Sequence, residues 1–457
     1  SVGGTAAIEE ELLEEVVYLV EYPTVILGQF DAKYLALPPE AVITPMREHQ
    51  RYFPVKDKSG QLLPVFITVR CGSAEHVDIV RHGNERVLRA RLDDARFFFD
   101  EDKKIPLQDR VEALKNVVFQ EGLGSVYDKT TRLVNLAKYL AQTLKTSPQE
   151  AAAAARCAYL AKADLVTNMV GEFSELQGIM GQEYALLNGE QPEVAQAIFE
   201  HYLPRFAGDS LAQSAPGRIV GLADKIDNLA ATFSRGLIPT GSQDPYALRR
   251  QALGIVHTLI DAEYSLSLAA LTEQAFTLLK IAPEKQQELN GAIAEFFRAR
   301  LKNVLNDKNV PYDIIDAVLA AGTDDIYDAC LRAAALADFV TKNTAAPEAL
   351  QALKRVGNLA KQAQNNLTID PALFETDAEK ELYQAYSDLK EKSGQLIAAK
   401  QYPAALAGLV FLTKPVNDFF ASVMVMVENE AIKQNRLALL AEITGLAAQI
   451  ADLNKLV

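Results

Sequence analysis

The sequence predicts a multidomain, predominantly α-helical protein that opens with a smaller α+β region. Three observations carry that prediction. Alternating, turn-punctuated stretches are confined to the first 105 residues. Beyond Pro106, apolar residues recur at helical spacing, broken by proline and glycine. A chain of 457 residues exceeds what one hydrophobic core organises, so it divides.

Residues 9–22 read as a short amphipathic helix. Segments 25–28, 51–55 and 64–70 read as strands. Asp57-Lys58-Ser59-Gly60 separates the last two with turn chemistry, so a hairpin is expected. From His76 to Asp102 the pattern turns helical and strongly charged. In 127–142, Leu133, Leu136, Ala137, Leu140 and Ala141 fall on one helical face. Ser147-Pro148 fits a helix start with proline at the first helical position. Further helices are expected over 151–172, 191–202, 217–234, 246–264, 283–306 and 324–342. Pro204, Gly208, Pro239, Gly241 and Pro311 mark the breaks. The stretch 346–400, interrupted at 365–371, reads as a helical hairpin or arm. A separate helical segment follows Gln401-Tyr402-Pro403. Its last helix carries Leu437, Leu440, Ala441, Ile443, Ala447, Ile450 and Leu453 on one apolar stripe.

The formal net charge of −14 argues against a generic nucleic-acid coat, while leaving local basic patches open. Cys71, Cys157 and Cys330 are dispersed and odd in number, which suits neither a zinc cluster nor a disulfide framework. A reducing, cytoplasmic setting is expected. No run approaches the ~20 apolar residues of a membrane span, and no secretory segment opens the chain. The start Ser-Val-Gly-Gly, without an initiator Met, reads as that of a trimmed fragment. There is no phosphate-binding GxxxxGK[ST], no GxGxxG after a strand and no HExxH. None of the five histidines is spaced as a local metal pair, so each reads as structural or surface.

The segment 156–185 (RCAYLAKADLVTNMVGEFSELQGIMGQEYA) reads as a nearly all-round apolar helix followed by a glycine-punctuated turn. Such a helix is expected to be buried, and buried charges such as Lys162 and Asp164 need partners. This region resembles the HD phosphohydrolases. They hold divalent metal with a His, a His-Asp dyad and a later Asp, and activate water against a phosphate ester. Lys129 stands where the first His belongs, Ala163-Asp164 replaces the dyad, and Asp224 matches the last Asp. Both missing ligands are imidazoles. The resemblance therefore implies a degenerate, metal-free domain. Its Asp164 and Asp224 would be re-paired, with Lys129, Lys162 and Lys225 as candidates.

Longer blocks identify the chain as resembling bacterial glycyl-tRNA synthetase β subunits. They are MREHQRYFPV (46–55), GNERVLRARL (83–92), KADLVT (162–167), MVGEFSELQGIMG (169–181), LADKIDNL (222–229), PTGSQDPYALRR (239–250) and KPVNDFFASVMV (414–425). The resemblance implies a tRNA-binding β chain of an α2β2 glycine–tRNA ligase. The α subunit would carry the adenylation site with its ATP and Mg. No cofactor and no metal are expected in this chain, and neither membrane nor DNA as partner. It also implies four regions: an α+β, B3/4-like region (1–105), a degenerate HD-like helical domain (106–265), a helical body-tail (266–400) and a helical anticodon-binding domain (401–457). An N-terminal part bearing α-contacting surface would precede residue 1.

Candidate tRNA contacts follow from chemistry. Arg86 and Arg89 share a helical face with Arg96, and Arg249 and Arg250 are adjacent; guanidinium forks suit phosphate oxygens. Asp93, Asp94 and Asp100 can instead pair with the first group, and Asp244 or Asp227 with the second. Glycine anticodons end in two cytosines, read by stacking and by hydrogen bonds to their Watson–Crick edge. Asn417, Asp418, Asn435 and Arg436 are candidates for that reading; Phe419 and Phe420 fit a core better than a stack. His49 to Tyr52 suit either RNA contact or a hydrogen-bonded corner. The alternatives to a synthetase subunit are a metal-dependent HD-type phosphohydrolase and a non-catalytic helical scaffold.

Overall fold

In the computed structural model, the described residues are 2–364 and 368–456. The chain forms two compact units that divide between Ala231 and Thr232, inside the segment 106–265.

The first unit opens with a four-stranded antiparallel sheet of order β1-β3-β4-β2, made of β1 (Thr5–Ala6), β2 (Pro23–Gln29), β3 (Phe53–Lys56) and β4 (Leu62–Cys71). The expected hairpin joins β3 and β4. Asp57 caps its turn, accepting the Ser59 and Gln61 amides. Helix α1 (Glu10–Leu19) buries Leu12 and Val16 against Phe53, beside Ile67 and Val69. On the other face Phe66 is fully buried. A Cβ on Gly28 would collide with its ring, so β2 needs glycine there. The short α2 (Pro39–Thr44) runs into a π-helical turn, Pro45–His49, that delivers Tyr52 onto Phe66 at 4.6 Å. The polar block beside β3 is a corner: Arg47 pairs with Glu9 and Arg51 with Glu15, both at the start or side of α1.

The long α3 (Val77–Asp102) lies along this region, with Glu85 accepting the Gln29 amide at 3.0 Å. A short α4 (Leu107–Arg110) follows. Next come α5 (Val126–Thr143) and α6 (Pro148–Leu160), both opened by capping boxes, Ser125 with Asp128 and Ser147 with Glu150. The helix expected over 151–172 does not run through. It stops at Leu160, passes a 3-10 turn and restarts as α7 (Asn168–Glu172). The Thr167 hydroxyl caps α7 by accepting the Val170 amide. Periodicity alone hid this break, because the turn is as apolar as the helices around it. Three more helices complete the unit: α8 (Ile179–Leu187), α9 (Pro192–Glu200) and α10 (Ala215–Ser234), whose last residues enter the second unit.

The second unit is helical among its described residues. It contains α11 (Leu248–Asp261), α12 (Leu268–Leu278), α13 (Pro283–Asp307), α14 (Tyr312–Ala320), α15 (Ile326–Lys342), α16 (Ala346–Ala360), α17 (Asp377–Ala398), α18 (Tyr402–Leu409), α19 (Thr413–Ser422) and α20 (Glu430–Ala448). Sequence periodicity missed α12 and α14. Pro311, read as a break, is the N-cap of α14. Arg332 of α15 is buried and ties the unit together, donating to the carbonyls of Val318, Gly322 and Ile450. The stretch 346–400 is no hairpin by itself. Its α16 packs on α19 and α20, and α17 packs on α18, α19 and α20. Residues 365–367 of the expected interruption lie outside the described residues.

One stretch, Tyr402–Ser422, is long and apolar enough to cross a bilayer, contrary to the sequence reading. The fold gives a different reason for its apolarity. A 3-10 turn at Val410–Leu412 separates α18 from α19, and Leu406, Leu409, Leu412, Val416 and Phe419 are core residues.

Candidate functional site

The HD-like residues converge in the first unit. Lys129 on α5 reaches α10, where its ammonium lies 2.8 Å from Asp224 Oδ1 and 3.1 Å from Asp227 Oδ2 and donates to Asn228 Oδ1 at 2.8 Å. One turn along, Arg132 grips Asp227 bidentately at 2.6 and 3.0 Å. Lys162, just past α6, donates to Asp224 Oδ2 at 2.9 Å and meets His201 Nε2 at 2.8 Å, with the Tyr202 ring 4.1 Å away. His201 Nδ1 lies 2.6 Å from the Ile198 carbonyl. Nδ1 is therefore assigned the proton, and Nε2 accepts from lysine. Lys225 donates to the His201 and Leu203 carbonyls at 3.0 and 2.8 Å.

Asp164 is fully buried and finds no lysine partner. Its Oδ2 accepts the amides of Gly178 at 2.6 Å and Gly181 at 3.2 Å. A Cβ on Gly181 would stand 2.8 Å from Ile198 and 2.9 Å from Asp164 Oδ2, so the glycine makes room for the carboxylate. Of the three lysines expected to re-pair the carboxylates, Lys129 and Lys162 do so at Asp224. Lys225 serves carbonyls instead, and Asp164 is held by backbone.

The charges respond to burial and to each other. Burial would raise the Asp224 carboxyl, but Lys129 and Lys162 hold it well below the usual carboxylate range. Burial depresses Lys162, brings Lys225 down to about 8, and, with Lys162 alongside, keeps His201 well below its ordinary value. Burial raises Asp164 to about 6, the Gly178 amide opposing it. These residues do not fit a divalent metal. Both oxygens of Asp224 face ammonium groups, Lys129 and Ala163 replace the imidazoles, and the remaining His201 lone pair accepts from Lys162. Among the described residues no three His, Cys, Asp or Glu side chains form a metal-binding group. No hydrolytic step can be routed through such a site.

The tRNA candidates separate by burial. Arg86 and Arg89 are exposed on α3 and make no ion pair among the described residues, whereas Arg91 pairs with Glu172 and Arg96 with Asp100. Arg249 is half-buried at the start of α11. Its amide binds the Asp244 carboxylate and its guanidinium donates to the Gly241 carbonyl; Arg250 is exposed. Asn417 donates to Glu348, and Asp418 pairs with Lys414. Two candidates are corrected. Arg436 is buried and committed to Glu379 and Glu375 at 2.7 and 2.9 Å. Asn435 is buried against the Asp370 backbone, accepting its amide and donating to its carbonyl. Neither has a surface to offer RNA. Phe419 is core, as its spacing suggested.

Sequence reasoning missed His201 and Arg132, and offered Asp227 to Arg249 and Arg250, whereas it pairs with Lys129 and Arg132. Arg132 and Asp227 carry a signal after the fact: Lys129 and Arg132 are three apart on one helix, as are Asp224 and Asp227 on another, a matched pair of faces. His201 carries none, because its partners lie far away in sequence.

Comparison with known proteins adds a second line. A family model described as glycyl-tRNA synthetase beta subunit matches residues 1–320, and one described as DALR anticodon binding domain matches residues 349–453. The chain is 50% identical to a glycine–tRNA ligase beta subunit of Desulforamulus reducens, and 47% identical to those of Syntrophus aciditrophicus and Clostridioides difficile. Each alignment covers 100% of this chain and 66% of the relative.

Proposed function

The chain belongs to the glycyl-tRNA synthetase β-subunit family, and from that premise we propose that it is the tRNA-binding part of a cytoplasmic glycine–tRNA ligase. The partner α subunit would hold ATP, Mg and glycine, in an α2β2 assembly, and form the adenylate. This chain would present tRNA(Gly) to it. The observation that carries the reading is the family match over residues 1–320, joined by the anticodon-binding match over 349–453. The ionic cluster around Asp224 supports it from the other side: its charges bind one another, which favours a structural over a hydrolytic role for these residues. Arg86, Arg89, Arg249 and Arg250 remain the proposed phosphate contacts, with Asn417 and Asp418 in the anticodon-binding region.

The test uses full-length β mixed with α, glycine, ATP and tRNA(Gly). Glycylation should require both subunits, and tRNA affinity should fall with salt, as phosphate contacts demand. Replacing Arg86 and Arg89 together by Ala should flatten that salt dependence. Salt-independent binding, or glycylation by α alone at the full rate, would overturn the reading.

A further inference from the structure

The second unit contains an open groove of about 420 Å³ between α17 and α20, whose lining includes Tyr383, Tyr386, Ser387, Lys390, Glu391 and Glu442. Its size suits a small organic ligand. In its lining the Glu442 carboxylate accepts from the Tyr386 hydroxyl and, at 2.8 Å, from the Lys390 ammonium. Both interactions use Oε2. Among the described residues Oε1 has no hydrogen-bond partner, and Glu442 is 42% exposed. Tyr383 is half-buried, its ring 5.4 Å from that of Phe374. The groove thus offers a carboxylate acceptor, an ammonium donor and an aromatic wall, while its Tyr386 and Ser387 hydroxyls already donate to Glu442 and to the Tyr383 carbonyl.

We propose that this groove receives one anticodon cytosine. The proposal rests on the reading of the chain as a tRNA-binding β subunit. The cytosine edge presents one amine donor, N4, followed by two acceptors, N3 and O2. Glu442 accepts from N4, while the Lys390 ammonium, which spends one hydrogen on Glu442, donates to N3 and O2. Tyr383 supplies the stacking face that an unpaired base requires. Uracil presents the reverse, an acceptor at O4 and a donor at N3, so O4 would face the carboxylate. The two cytosines that end every glycine anticodon make this edge the one worth reading.

The experiment uses full-length β reconstituted with α. It measures glycylation kcat/KM for tRNA(Gly) and for transcripts in which each anticodon cytosine is replaced in turn by uracil or adenine. Glu442→Ala should lower kcat/KM for the cognate tRNA roughly tenfold and narrow discrimination at one of the two positions. Ser387→Trp, which fills the groove, should do the same. ATP–pyrophosphate exchange should stay at the wild-type rate in both. If the wild type does not discriminate these transcripts, the anticodon-binding reading itself fails. If the wild type discriminates and both variants keep its discrimination, or lose all tRNAs equally, the groove is not the cytosine site. Should one variant fail to fold, the other decides.

Discussion

The ion pairs at Asp224 and at Glu442 have similar geometry and opposite surroundings. Lys162 and Asp224 meet at 2.9 Å with side chains 6% and 9% exposed; Lys390 and Glu442 meet at 2.8 Å with side chains 59% and 42% exposed. In the first, every charge is taken up by another protein group, and little is left for a ligand. In the second, one carboxylate oxygen and much of the ammonium face solvent. Burial, more than the identity of the residues, decides whether a charge serves the fold or a substrate. A buried pair contributes little net stability, because desolvation offsets attraction, yet removing one partner strands the other. An exposed pair is worth at most about 1 kcal/mol.

Breaking the buried side should give the largest effect. Asp227→Ala leaves Lys129 and Arg132 without their shared carboxylate and should cost about 3–5 kcal/mol in urea unfolding. Arg436→Met, which strands the buried Glu379 in the second unit, should cost about 3 kcal/mol. A loss below about 1 kcal/mol in both would erase the distinction between the two environments.

A smaller effect is set by pH. His201 is held neutral by burial and by Lys162, so its folded pKa lies below its unfolded one. Its stabilising contribution is complete above the unfolded value of about 6.5 and is lost as pH falls. The advantage of the wild type over His201→Gln should shrink by about 1.4 kcal/mol per pH unit below that value. Asp164, raised to about 6, has the opposite sign: its contribution is present below about pH 4 and is lost as pH rises through 6. Comparing single variants separates the two, and a pH-independent gap for His201→Gln would contradict the assigned protonation. The smallest effect belongs to the open groove, where Glu442→Ala should change stability by no more than about 1 kcal/mol.

Much of this architecture is legible from residue order. Helical spacing locates α5, α9, α13 and α15 closely, and Asp57 to Gly60 place the only hairpin expected. What spacing cannot supply is the environment of a polar residue. Arg436 sits at the edge of an apolar stripe and reads as an exposed reader of RNA, but its partner Glu379 lies 57 residues away and appears only when α17 packs on α20. Likewise Lys129 is recognisable as a replaced ligand, whereas the pairing of its charge with Asp227 depends on how α5 meets α10. The groove at Tyr383 carries no local motif, because its walls come from two helices far apart in sequence.

Hydrogen–deuterium exchange on the reconstituted full-length enzyme, with and without tRNA(Gly), tests the central distinction most directly. New protection is expected at Tyr383 to Lys390 and around Glu442, and unchanged exchange at Lys129, Lys162 and Asp224 to Asp227. Protection confined to the ionic cluster, with the groove untouched, would contradict that distinction.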